Sequence, residues 1–222
     1  MTSRRTKQAR GQGRLPFARR RRASGRGRRA RASVPHVRRP AHSADRPLHV
    51  TVRLRGGLPS LRQSAELAAL RAAFSAGSDR FGFRLVHFSV QRDHLHLIAE
   101  AQDRLALSRG MKGLLVRIAR ALNRLWRRRG PVFADRYHAR ALRTPREVRN
   151  TLVYVLQNSR KHIGRYAGID PGSSGAWFDG WAGCPPLTSG AVGSPPVVAA
   201  RTWLLRVGWT RYGRIGLGEA PR

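Results

Sequence analysis

Apolar and polar positions fall into a regular pattern only from His49 onward. There His49-Val50-Thr51-Val52-Arg53-Leu54 alternates with the period of two of a half-buried strand, and Gly56-Gly57 closes it. Ser60 stands where a helix N-cap belongs, ahead of Leu61, Leu67, Leu70 and Phe74, which share a helical face to about Ser75. Residues 83–90 read as a second strand, with Leu85, His87 and Ser89 alternating with Val86, Phe88 and Val90. Arg92-Asp93 makes a short turn into a third strand, His94 to Glu100, and the two strands predict a hairpin.

Residues 105–128 predict a long helix with Leu107, Met111, Leu114, Leu115, Ile118, Leu122 and Leu125 on its apolar face, ended by Gly130-Pro131. A fourth strand is expected over Val132 to Leu142, with imperfect alternation. Thr144-Pro145-Arg146-Glu147 is a strong helix start: a capping Thr, Pro at the first helical position and Glu three after the cap. That helix is expected to run to about His162 and to stop at Gly164. The order β-α-β-β-α-β-α predicts an α+β fold: a ferredoxin-like βαββαβ sandwich over residues 47–164, with an additional helix at its end. Residues 165–222, rich in Gly, Pro and Ser, predict an irregular extension docked through Trp177, Phe178, Trp181, Trp203 and Trp209.

Composition adds a partner. The 222 residues carry 45 Lys+Arg against 11 Asp+Glu, a net charge of +34, which a polyanion explains most simply. All but three of the basic residues are Arg, a skew that codon bias in a GC-rich genome would produce. Such bias selects Arg over Lys but does not create the excess over acids. Residues 1–46 hold 16 basic residues and one acid, Asp45, with few large apolar side chains, and predict a disordered basic arm. No apolar run is long enough for a transmembrane helix, and the basic N-terminus lacks the apolar core of a secretory signal. The single cysteine, Cys184, excludes a disulfide framework and has no neighbouring partner, so a reduced, cytoplasmic compartment is expected, with nucleoid association only through DNA binding.

Two local constellations could carry chemistry. In Asp93-His94-Leu95-His96-Leu97 the two imidazoles are two residues apart on a strand and share a face. They could bind a divalent cation given a third ligand, or they are a solvent-facing pair. On the last helix Tyr154 and Asn158 are four apart and point the same way, while Val148, Leu152, Val155, Leu156 and Ile163 form the apolar stripe. Tyr154 thus lies at the stripe's edge, as a boundary residue or as a nucleophile needing a cation or a polarised phosphate. Tyr137, beside Arg136 and His138, is a rival nucleophile, or a strand aromatic packed on the sheet. His87 reads as a sheet residue or a supporting group, and His49 and His162 as ordinary surface histidines.

Taken in order, the His-hydrophobic-His strand and the tyrosine helix about 60 residues later resemble the HUH single-tyrosine transposases. The resemblance is closest to the insertion-sequence-200-like family and its REP-associated relatives. It rests on Pro47-Leu48-His49-Val50-Thr51, on residues 86–97 (VHFSVQRDHLHL), on residues 132–137 (VFADRY) and on Tyr154-Val155-Leu156-Gln157-Asn158. The resemblance implies that His94 and His96 bind Mg²⁺ or Mn²⁺, with Asn158, or else Gln157, as third ligand. It also implies that Tyr154 attacks the scissile phosphate of single-stranded or hairpin DNA, leaving a 5′-phosphotyrosine bond and a free 3′-hydroxyl. Asp93 stands where the common form of the family has Asn, and Ser159 where it often has Pro. Family members that act as homodimers can take the tyrosine helix from the other subunit.

The face of the second helix bearing Arg109, Lys112, Arg117, Arg120, Arg124 and Arg127, with Arg128 and Arg129 beyond, has no acid between Asp103 and Asp135 and is expected to contact DNA phosphates. Two other functions stay open on the sequence. One is a domesticated, catalytically inactive DNA-binding relative. The other is a basic RNA-binding protein, which the absence of an aromatic platform on the strands disfavours.

Overall fold

Where the period-two pattern runs, strands form, and their pairing builds one antiparallel sheet. A computed structural model describes residues 41–158, 168–183 and 194–220. Its strands β1 (Leu48–Arg53), β2 (Asp79–Arg80), β3 (Phe83–Val90), β4 (His94–Ala101) and β5 (His138–Ala141) lie in the order β2-β3-β4-β1-β5. Without the two-residue β2, which the alternation did not predict, the order β3-β4-β1-β5 is that of the ferredoxin-like sandwich.

Antiparallel partners point to the same side, so the register sorts every strand residue onto one of two faces. Val50 opposite Leu97 and Val52 opposite Leu95 face helices α1 (Ser64–Ser75) and α2 (Arg104–Leu125). With Leu70, Phe74, Met111, Leu114 and Ile118 they form one buried core. Gly110 lets α2 approach the sheet, because a Cβ there would overlap the Phe83 side chain. The other face is covered by α3 (Pro145–Leu156) and the C-terminal residues, and its core joins Val86 and Ile98 to Leu152, Val155, Phe178, Trp181 and Trp209.

Several elements differ from expectation, each for a local reason. The alternation in β3 breaks at a bulge between Leu85 and His87, so Leu85, Phe88 and Val90 share the first core while Val86 turns to the second. Ser60 is not the cap of α1. The Leu61 N–H donates to the Arg92 carbonyl, holding that residue in the preceding turn, and the helix starts at Ser64 after Gln63. Helix α2, capped by Asp103, ends before Gly130-Pro131: Arg127 takes φ +48°, and the N–H groups of Arg127 and Arg128 close onto the carbonyls of Arg124 and Asn123. The fourth strand shrinks to β5, preceded by an isolated bridge from Phe133 to Leu54. Helix α3 starts as the sequence dictates, with Thr144 Oγ1 accepting from Glu147 N at 3.2 Å, but it ends at Leu156.

The C-terminal residues contribute α4 (Trp203–Arg206), a single helical turn, and the parallel pair β6 (Trp181–Ala182) and β7 (Ile215–Gly216). Buried or paired acids hold them down. Asp170 accepts two hydrogen bonds from Arg62, at 2.6 and 3.1 Å; Glu100 accepts from the N–H groups of Arg201 and Thr202; Glu219 pairs with Arg149. Phe178, Trp181 and Trp209 are buried, Trp177 packs against the first core, and Trp203 is exposed beneath Arg211. Among the described residues no helix is long and apolar enough to cross a membrane. The arm up to residue 40, His162, Cys184 and the expected helix end at Gly164 lie outside the described residues.

Candidate active site

The register places a group of polar side chains on the face away from α1 and α2. Thr51 opposes His96 on one side and His138 on the other, His49 opposes Ile98 and Arg140, and Arg53 opposes His94. Helix α3 follows β5 directly and packs against β3 and β4, so Tyr154, on the flank of its apolar stripe, is brought half-buried to the same group.

The contacts are close. Tyr154 Oη lies 3.3 Å from His96 Nε2. His96 Nδ1 lies 3.2 Å from His49 Nε2 and 3.3 Å from Thr51 Oγ1. The rings of His94 and His96 are 4.8 Å apart and perpendicular, and His49 stacks on His96 at 5.3 Å.

Hydrogen bonding assigns the ring nitrogens. His94 Nδ1 is 2.7 Å from Asp93 Oδ1, and a carboxylate only accepts, so Nδ1 carries a proton, and in the neutral ring Nε2 then has the lone pair. Partial burial pushes the Asp93 carboxyl up, but the hydrogen bond from His94 and the charge of Arg53 outweigh it and hold the group below its ordinary value. Burial, with the charges of Arg140 and His138, lowers His49 to about 4, so it is neutral at pH 7 and can accept at Nε2. His49 Nε2 and Thr51 Oγ1 can each accept from His96 Nδ1, and in that tautomer the lone pair of His96 Nε2 faces Tyr154.

Two imidazoles presenting Nε2, one held by a carboxylate, suit a divalent cation. Among the described residues no group of three His, Cys, Asp or Glu is placed to hold one, so an oxygen donor of another kind is needed. Asn158 and Gln157 fit that need chemically. Both are buried, and among the described residues both amide atoms of Asn158 and Oε1 of Gln157 have no hydrogen-bond partner. Neither sits on α3 as the spacing predicted: Gln157 is the cap, its Nε2 donating to Gly216 O, and Asn158 follows in the turn.

Other sequence-predicted residues fall elsewhere. Tyr137 is buried in the first core, on the opposite side of the sheet. His87 lies under the C-terminal residues, Nδ1 3.2 Å from Ser174 Oγ, and burial lowers it to about 4. Arg109, Lys112, Arg120, Arg124, Arg127 and Arg129 are exposed, with Arg117 and Arg128 partly so, but α2 covers the face opposite Tyr154 and they do not line the histidine site. The site residue that sequence reading missed is His49, expected at the surface and found stacked on His96. Its signal was present: alternation put it on one face with Thr51 and Arg53, and only the pairing of β1 with β4 was lacking.

The family model described as "Transposase IS200 like" matches residues 59–158. No curated protein matches the chain. Among solved structures, the chain is similar to a REP-associated tyrosine transposase bound to a REP hairpin, at 19% identity and TM-score 0.49, over 60% of this chain and 76% of that one. It is also similar to a candidate transposase from Deinococcus radiodurans, at 15% identity and TM-score 0.39, over 55% of this chain and 92% of that one. Residues 59–158, which carry the His94–His96 strand and the Tyr154 helix, are thus similar to the IS200-like transposase family over a little under half of the chain.

Proposed function

We propose that the chain is a transposase of the IS200-like kind that cuts and rejoins single-stranded or hairpin DNA, with Tyr154 as the covalent nucleophile. The observation that carries the reading is the 3.3 Å approach of Tyr154 Oη to His96 Nε2, beside the perpendicular ring of His94. A phosphate seated between these groups would meet the phenol oxygen and both imidazoles at once. In the proposed step Tyr154 gives up its proton and its oxygen bonds to phosphorus. The bond from phosphorus to the 3′ oxygen breaks, and that oxygen takes a proton and leaves as a 3′-hydroxyl. The 5′-phosphotyrosine link conserves the bond energy, so rejoining needs no nucleotide cofactor. His94 and His96, with Asn158 or Gln157, would hold Mg²⁺ or Mn²⁺, which when bound supplies a Lewis acid for the phosphate. Asp93 and the His49–Thr51 pair orient the two imidazoles.

The test is incubation of end-labelled hairpin oligonucleotides with the protein, with and without each divalent ion. Nicking that appears only with the ion supports the reading. Salt-sensitive binding without cleavage under any divalent ion would instead identify an inactive DNA-binding relative.

A further inference from the structure

The turn joining β2 to β3 places a large aromatic where the backbone resists it. Phe81 and Gly82 have φ of 57° and 72°, the geometry of a two-residue hairpin turn that favours Asn-Gly. Glycine adopts it freely, whereas phenylalanine there is strained. The fold draws no packing from this strain, because Phe81 is 66% exposed. The turn is nonetheless fixed, its Gly82 carbonyl accepting from Gln102 N at 3.1 Å.

The exposed ring stands at a surface depression whose other walls are Arg109, Lys112, Gly113, Val116, Arg117 and Arg120. Helix α2 carries no acid along its length, and Asp79, the acid nearest in the hairpin, is paired with Arg84. A rigid aromatic face among four cations matches an unpaired base flanked by phosphates. We infer that this depression binds single-stranded DNA: a base stacks on Phe81 while Arg109, Lys112, Arg117 and Arg120 hold the phosphates on either side. The surface lies on the layer opposite Tyr154, so it holds a strand away from the cut. Only the choice of DNA as the nucleic acid rests on the transposase reading.

The test measures binding, not cleavage, so its failure is distinct from failure of the Tyr154 assignment, which would show as missing adducts. The full chain carrying Tyr154→Phe is titrated against fluorescent oligo-dT and against a duplex of equal length. Adding Phe81→Ala should weaken oligo-dT binding by about tenfold while leaving duplex binding unchanged, and Phe81→Trp should restore it. Arg109→Glu with Lys112→Glu should weaken both ligands. Phe81 makes no core contact to lose, so the melting temperature of Phe81→Ala should match the parent's. Unchanged oligo-dT binding in Phe81→Ala overturns the inference, as does equal loss for both DNA forms.

Discussion

A neutral imidazole has one donor and one acceptor nitrogen, so its partners decide what it can do. At His94 the Asp93 carboxylate makes that choice, and at His96 it falls to His49 and Thr51. The first was legible in the sequence because the partner is the adjacent residue. The second was not, since His49 and His96 are 47 positions apart and meet only through the register of β1 on β4. His87 shows what burying an imidazole without a charged partner does to the fold. Its pKa drops from 6.5 to about 4, so the unfolded chain binds more protons between those values. Stability is full above pH 6.5 and falls as pH drops toward 4, by about 3 kcal/mol from this one residue. His49 acts in the same direction. Urea unfolding across pH 7 to 4 should show the decline, and His87→Gln should flatten it; an equally steep decline in the variant would remove His87 as its source.

At the scale of elements, what the sequence revealed were features set by neighbouring residues. The β4 strand follows from its alternation, and the start of α3 from Thr144, Pro145 and Glu147, whose contacts span only a few positions. What it hid were ends set by distant partners. Leu61 donates to the Arg92 carbonyl, and that removes a turn from the expected start of α1. Gln157 reaches Gly216, and there α3 stops, which moves Asn158 off the helical position four after Tyr154. Gly110 is another long-range device, invisible as a glycine in a predicted helix yet necessary where α2 crosses Phe83. Gly110→Ala would raise helix propensity locally but push the helix off the sheet. The net loss should be about 1–3 kcal/mol, read as a lower urea midpoint. A variant as stable as the parent would mean that the helix shifts without cost.

In the whole molecule the sheet separates two groups of side chains. One face carries His49, His94, His96 and Tyr154; the other carries α2 and its row of cations. The chain's few acids are spent partly on architecture, with Asp170, Glu100 and Glu219 fastening the C-terminal residues over the second face. The net charge of +34 announced a polyanion but could not distinguish gripping DNA from cutting it. In the proposed reaction that distinction rests on a single phenol oxygen, and substituting it is the most direct test. Wild-type protein incubated with a labelled hairpin oligonucleotide and Mn²⁺ should yield a covalent protein–DNA adduct on a denaturing gel. Tyr154→Phe should yield none while binding the same oligonucleotide with unchanged affinity. Adducts that persist in Tyr154→Phe would contradict the assignment of Tyr154 as nucleophile.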